Sequence, residues 1–119
     1  MIHIVVPDIP PSNNQFMGNS HSFNAYRDEK TAWHWRIKAA IKEKPRQPFE
    51  KAKVHIRYYF KNRIRRDPDN YSGKFLLDPL VREGILKDDC FGRVELHLSA
   101  GYDKENPRTE IFIEEVTHE

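Results

Sequence analysis

The chain has 119 residues, the length of one domain, and its single cysteine, Cys90, leaves no means of forming an internal disulfide. It has no run of about 18 apolar residues, and the stretch MIHIVVPDIPPS has neither the charged start nor the apolar length of a secretion signal, so a cytoplasmic protein with no membrane segment is expected. Twenty basic and eighteen acidic residues nearly cancel, so any attraction for a polyanion must come from how the charges are placed.

One domain over residues 1–119 is expected, since no repeat, low-complexity tract or linker divides the chain. Residues 2–6 (IHIVV) read as a short β-branched strand. The following PDIPPSNNQFMGNSHSFN is rich in Pro, Ser, Asn and Gly, and a loop this long in a small domain is usually functional. From about Asp28 to Lys44 the period turns helical, with Trp33, Ile37, Ala40 and Ile41 on one face and Pro45 as the stop. Ala32, Trp35 and Ala39 form a second stripe that needs a different partner.

Residues 52–60 (AKVHIRYYF) alternate, with Val54, Ile56, Tyr58 and Phe60 predicted to face the core. Between 70 and 84, the apolar residues Leu76, Leu77, Leu80 and Val81 predict a helix closed by Gly84. Pro79 makes this one kinked helix, or else Asp78-Pro79 starts a second piece as cap and first residue. Residues 93–102 read as a strand with Val94, Leu96, Leu98 and Ala100 inward, and 109–116 as a last strand pairing with it in an antiparallel hairpin. The order β-α-β-α-β-β predicts an α/β or α+β fold with a mixed sheet.

The chemistry concentrates in Arg65-Arg66-Asp67-Pro68-Asp69-Asn70, with Asp88-Asp89 about twenty residues on. In extended backbone, residues i and i+2 point the same way about 6.6 Å apart, and Pro68 biases Asp67 toward that state. Two carboxylates ~4 Å apart repel by about 1–4 kcal/mol, so a cation is expected between them. The bland reading makes Asp67 and Asp69 solvated loop residues paired with Arg65 and Arg66. An EF-hand fails, because its sixth position would be Ser72 and its fifth Tyr71. Zinc fails as well, for want of paired histidines and cysteines.

If Asp88 and Asp89 return to the first pair, three or four carboxylates form a hard oxygen site suited to Mg²⁺ or Mn²⁺. Beside basic residues, the natural substrate of such a site is a phosphodiester, with the metal activating water and polarising the phosphoryl oxygen. Lys61, Arg63, Arg65 and Arg66 fall within six positions, placed to contact phosphates. Lys74 either balances charge in the transition state or pairs with Asp78 one helical turn on.

Asp67-Pro-Asp69-Asn70, Lys74, Asp78, Gly84 and Asp88-Asp89, in this order, resemble the RusA family of Holliday-junction resolvases. Pro10-Pro11-Ser12-Asn13-Asn14 and Tyr26-Arg27 are similar to that family's N-terminal segment. The resemblance implies a homodimeric, Mg²⁺-dependent endonuclease of bacteria and prophages, cutting four-way DNA junctions in recombination and repair, with no organic cofactor. It implies that Asp67, Asp69 and Asp89 bind the metal with Asp88 beside them, and that Asp67, Asp69, Lys74 and Asp89 carry catalysis. It further implies that Asn13, Asn14 and Arg27 line the DNA path with the basic cluster, and it gives the Trp35 stripe a dimer partner; cover by the 8–25 loop is the other reading of that stripe. One departure is an extra residue between Asn70 and Lys74, which on a regular helix turns a side chain by ~100°; Gly73 is expected to let it loop out. Two other readings stay open: a nuclease that prefers flaps, forks or single strands, and a silent branched-DNA-binding module. An RNA-binding sheet is disfavoured, as no strand face carries paired exposed aromatics.

Overall fold

In a computed structural model, which describes residues 1–16 and 22–117, four strands form one mixed sheet with two helices. The elements in chain order are β1 (Ile2–Val6), α1 (Ser22–Ala40), β2 (Ala52–Phe60), α2 (Leu77–Arg82), β3 (Val94–Tyr102) and β4 (Arg108–Glu115). This is the expected α+β class and element order. Among the described residues no helix is long and apolar enough to cross a membrane.

The strand order is β1-β4-β2-β3, with β2 and β3 parallel and β4 antiparallel to both of its neighbours. The predicted β3–β4 hairpin does not form, because β2 lies between the two strands. Burial explains the choice. Thr109, Ile111 and Ile113 of β4 are fully buried, as suits a central strand. On β3, by contrast, only Val94 is buried; Leu98 is half-covered, and Leu96 and Ala100 are exposed. The expected inward set of β3 is therefore correct at its first residue and weak beyond it. A strand with so little apolar cover is suited to the edge.

The even-numbered residues of β2 and the buried apolar residues of β1 and β4 face the helices, where Trp33, Ile37, Phe75, Leu76 and Leu80 complete one core. Trp33 and Ile37 are the stripe predicted from helical spacing, with Ala40 and Ile41 half-buried beside them. The helix itself starts six residues before the expected Asp28 and stops at Ala40, with a last bond from Ile41 N to Ile37 O at 3.1 Å. The early start lets Tyr26 meet Phe16 and Phe75, with ring centroids 5.5 Å away in each case. Lys42 and Lys44 lie beyond the helix. Trp35 is 62% exposed, stacks on His34 and carries Lys38 over its ring, so the described part of the N-terminal loop does not cover it.

The segment before β3 contains neither the kinked helix nor two helices. Gly73 takes a left-handed φ of 85° and starts a tight turn, with Leu76 N donating to Gly73 O at 2.9 Å. Only Leu77–Arg82 is helical, which puts Pro79 in the first turn, where no intrahelical donor is needed. Gly84 ends the helix as expected, at φ 82°, with Ile85 N bonding back to Leu80 O at 3.0 Å.

Candidate active site and nucleic-acid interface

The acidic motif begins where β2 leaves the sheet. Asp67 is extended (φ −104°, ψ 141°), as the following proline requires. Pro68–Asn70 then makes a single 3-10 turn, closed by Asn70 N donating to Asp67 O at 3.0 Å. The extended spacing predicted for the acid pair thus holds at Asp67 and fails at Asp69, which sits inside the turn. Both carboxylates are exposed. Arg65 reaches Asp67 at 3.4 Å, but with the arginine 90% exposed this contact is weak and easily exchanged.

The N-terminal loop closes on this turn. Asn13, in a 3-10 turn over Asn13–Phe16, donates from Nδ2 to the Asp69 carbonyl at 3.0 Å and lies 3.0 Å from the Ser72 hydroxyl. Asn14 is exposed beside it. Residues 17–21 of the expected functional loop lie outside the described residues. Arg27 is exposed on α1, next to the helix residue that receives Lys74: the lysine Nζ lies 5.1 Å from the Tyr26 ring centroid. Asp78 pairs with Arg82 at 3.3 Å instead, so the expected Lys74–Asp78 pair is not what holds the lysine. Burial, with the nearby Asp78 charge second, raises the Tyr26 pKa above that of a free tyrosine, keeping it neutral beneath the ammonium.

The basic residues form a rim around the same end of β2. Arg63 lies over Tyr102 at 4.5 Å and Arg66 over Phe60 at 4.1 Å. Arg66 is fixed further by bonds to Asn62 O (3.1 Å), Ile64 O (2.9 Å) and Asn62 Oδ1 (2.9 Å). Lys61 and Arg65 extend into solvent. Arg57, Arg63 and Arg66, with Asn62 and Tyr102, line an open groove of about 540 Å³. Phe60, Arg66 and Ala100 are shared with a second, smaller recess of about 90 Å³, which reaches Asp67.

Asp88 and Asp89 lie elsewhere. The Asp88 carboxylate caps the Asp89 amide at 2.8 Å, and a turn over Cys90–Val94 then feeds the first residue of β3. Ala52 pairs with Val94, so this pair sits at the N-terminal end of β2 and β3, whereas Asp67 lies against Leu98–Ala100. Those points are separated by roughly 13–20 Å of strand. Among the described residues no three His, Cys, Asp or Glu side chains are placed to share a metal ion. One chain therefore brings together Asn13, Asp67, Asp69 and the arginines, and does not bring Asp88 and Asp89 to them. Two exposed carboxylates are hard oxygen donors of the right kind for Mg²⁺ but do not alone make a protein-held site.

Sequence reasoning passed over Tyr71, whose ring packs edge-on against Phe60 (5.1 Å) and Tyr58 (5.6 Å) beside Asp67. It also passed over Phe91, fully exposed two residues after Asp89. The sequence signal for Tyr71 was its place directly after the acidic motif; nothing distinguishes Phe91 from an ordinary turn residue.

Comparison with individually curated proteins gives no match. A model of the protein family described as endodeoxyribonuclease RusA matches residues 8–114, a span that runs from the N-terminal loop through the acidic motif and the Asp88-Asp89 pair to the end of β4. The chain therefore belongs to the RusA endodeoxyribonuclease family.

Proposed function

We propose that this protein is a Mg²⁺-dependent endonuclease that resolves four-way DNA junctions in recombination and repair, acting as a homodimer in the cytoplasm. The observation that carries this reading is the contiguity of acid and base: the Asp67–Asp69 turn borders a groove lined by Arg57, Arg63 and Arg66. Isolated acids repel a phosphodiester, and isolated arginines bind it without cutting. The two together suit a site that grips the backbone and delivers a cation to the scissile phosphate.

Two copies also answer the question left by one. Asp67 and Asp69 flank one end of the parallel strand pair, and Asp88 and Asp89 the other. A two-fold partner can set its own Asp88-Asp89 against the Asp67-Asp69 turn, and the same contact then repeats at the second site. The exposed Trp35 stripe and Phe91 supply apolar surface of the kind found at interfaces. When bound, the cation supplies Lewis acidity at the phosphoryl oxygen. The chain's own residues do the rest: Asn13 fixes the acidic turn through the Asp69 carbonyl, Lys74 offers positive charge on the same side, and the arginines hold the flanking phosphates. Asn14, Arg27, Lys61 and Arg65 extend that grip.

Replacing Asp69 by Asn tests the reading on a synthetic four-way junction, with linear duplex, flap and single-strand controls, in Mg²⁺ and in EDTA. The parent should make paired, symmetric, metal-dependent cuts confined to the junction. The variant should lose at least a hundredfold in cleavage rate while binding the junction as well or better, because one negative charge has gone. Equal cutting of flaps would reduce the assignment to a general branched-DNA nuclease. A parent that binds tightly and never cuts would leave only the silent binding module.

A further inference from the structure

The basic loop after β2 carries one side chain that phosphate binding does not explain. In Lys61-Asn62-Arg63-Ile64-Arg65-Arg66 every residue is charged or polar except Ile64, which is 68% exposed. A lone apolar residue on a surface usually needs no explanation, but the backbone of this one is pinned from both sides. Its amide donates to Asn62 Oδ1 at 3.2 Å, and its carbonyl accepts from Arg66 Nη1 at 2.9 Å. The same arginine donates to Asn62 O and Asn62 Oδ1 and lies over the Phe60 ring at 4.1 Å. Phe60 is buried in the core, so Arg66 braces the loop from the end of β2 to its tip. None of these bonds uses the Ile64 side chain. It is β-branched and stiff at χ1, and it stands out between Arg63 and Arg65, both exposed.

The tip borders the arginine groove, which Ile64 lines with Arg57, Arg63 and Arg66. At full stretch the backbone from Ile64 to Asp67 spans no more than about 11 Å, or roughly three base steps. A strand gripped through its phosphates by the flanking cations therefore meets, close to the acidic turn, an apolar point that cannot bind phosphate. We propose that Ile64 is a wedge that enters an opened base step at the branch point, beside the phosphate to be cut. This rests on the nuclease reading above and adds to it a residue that selects the shape of the DNA. Aliphatic side chains can part a base step, at the expense of its stacking energy. Linear duplex resists with its full stacking energy, whereas a branch point, where stacking is already interrupted, resists least. The cations grip either form, and the wedge favours the open one.

The test reads base stacking directly. The fluorescent base 2-aminopurine, dark while stacked, is placed in turn at each nucleotide around the branch point of a synthetic four-way junction. Fluorescence and affinity are measured in EDTA, on the junction and on a linear duplex of equal length, for the parent, Ile64→Ser and Ile64→Leu. Because the side chain is exposed and makes none of the loop's bonds, both variants keep the fold and every cation of the loop. The parent should brighten one step on binding, and Ile64→Leu should keep that signal. Ile64→Ser should lose it and bind the junction severalfold more weakly, with duplex affinity unchanged. The wedge is overturned if no step brightens with the parent, if Ile64→Ser brightens it equally, or if junction and duplex affinity fall together. Loss of dimer by Ile64→Ser on size-exclusion chromatography, with no step brightened by the parent, would assign Ile64 to a contact between copies instead. None of these readings needs cleavage, so a failure of the nuclease reading, seen as Asp69→Asn cutting like the parent, is recorded separately.

Discussion

Gly73 decides where Lys74 points. Its φ of 85° is one that a side chain resists at a cost of about 1–2 kcal/mol. A Cβ there would also lie 2.9 Å from Ile56 Cδ1, inside contact distance. Gly73→Ala should therefore lower the urea-unfolding free energy by about 2 kcal/mol. Because the turn it opens carries Lys74 to the Tyr26 ring, the same variant should lose cleavage beyond what its residual folded fraction accounts for. A variant with full stability would mean that the turn relaxes without cost. Much of the site was legible at this scale. Asp67, Asp69 and the arginines could be read because charge has few uses when it is crowded, and the expectation that Gly73 loops out an extra residue agrees with its left-handed backbone. Tyr58 and Phe60 alternate as a core-facing pair does, and the structure buries both.

Between elements, α1 is tied to the end of α2 by a polar clasp outside the core. Glu83 accepts from His34 at 2.8 Å and from Lys44 at 3.1 Å, with its side chain only 10% exposed. The His34 bond, with Lys44 after it, outweighs burial and holds the Glu83 pKa below that of a free glutamate. A depressed carboxylate pKa stabilises the fold at pH values above the unfolded pKa, about 4.3, and that contribution disappears as pH falls through the lower folded value. Glu83→Gln should thus cost about 1 kcal/mol at pH 7. The gap between parent and variant should stay level down to about pH 5 and close below it in denaturant titrations. A gap that widens with acid would reverse the sign of the linkage. The strands show what periodicity leaves open at this scale. Residues 52–60 and 108–115 carry clear alternation, so both strands could be read, but their pairing could not. Alternation assigns a face and leaves the neighbour unspecified, and a five-residue connection from β3 to β4 suggests a hairpin. The isoleucines of β4 prefer the centre of the sheet and carry the strand past β2 to reach it.

At the scale of the whole molecule, the proposed reaction has to draw on four aspartates spread along some 13–20 Å of strand. If each site joins Asp67 and Asp69 of one protomer to Asp88 and Asp89 of its partner, two dead proteins should make a live one. Asp69→Asn has an intact second pair, and Asp88→Asn/Asp89→Asn has an intact first pair. After subunit exchange, a mixed dimer holds one site with every defect and one with none. Random pairing makes half the dimers mixed, so about a quarter of all sites should recover. The recovered activity should nick one strand of the junction, because the opposite site is dead and the paired cut needs both. Sites built within one chain predict no recovery at any ratio, since every site then carries a defect. The strand count of the product therefore reports on assembly as well as chemistry. A single nick at about a quarter of the parental rate can arise only if the active site is divided between two copies of the chain.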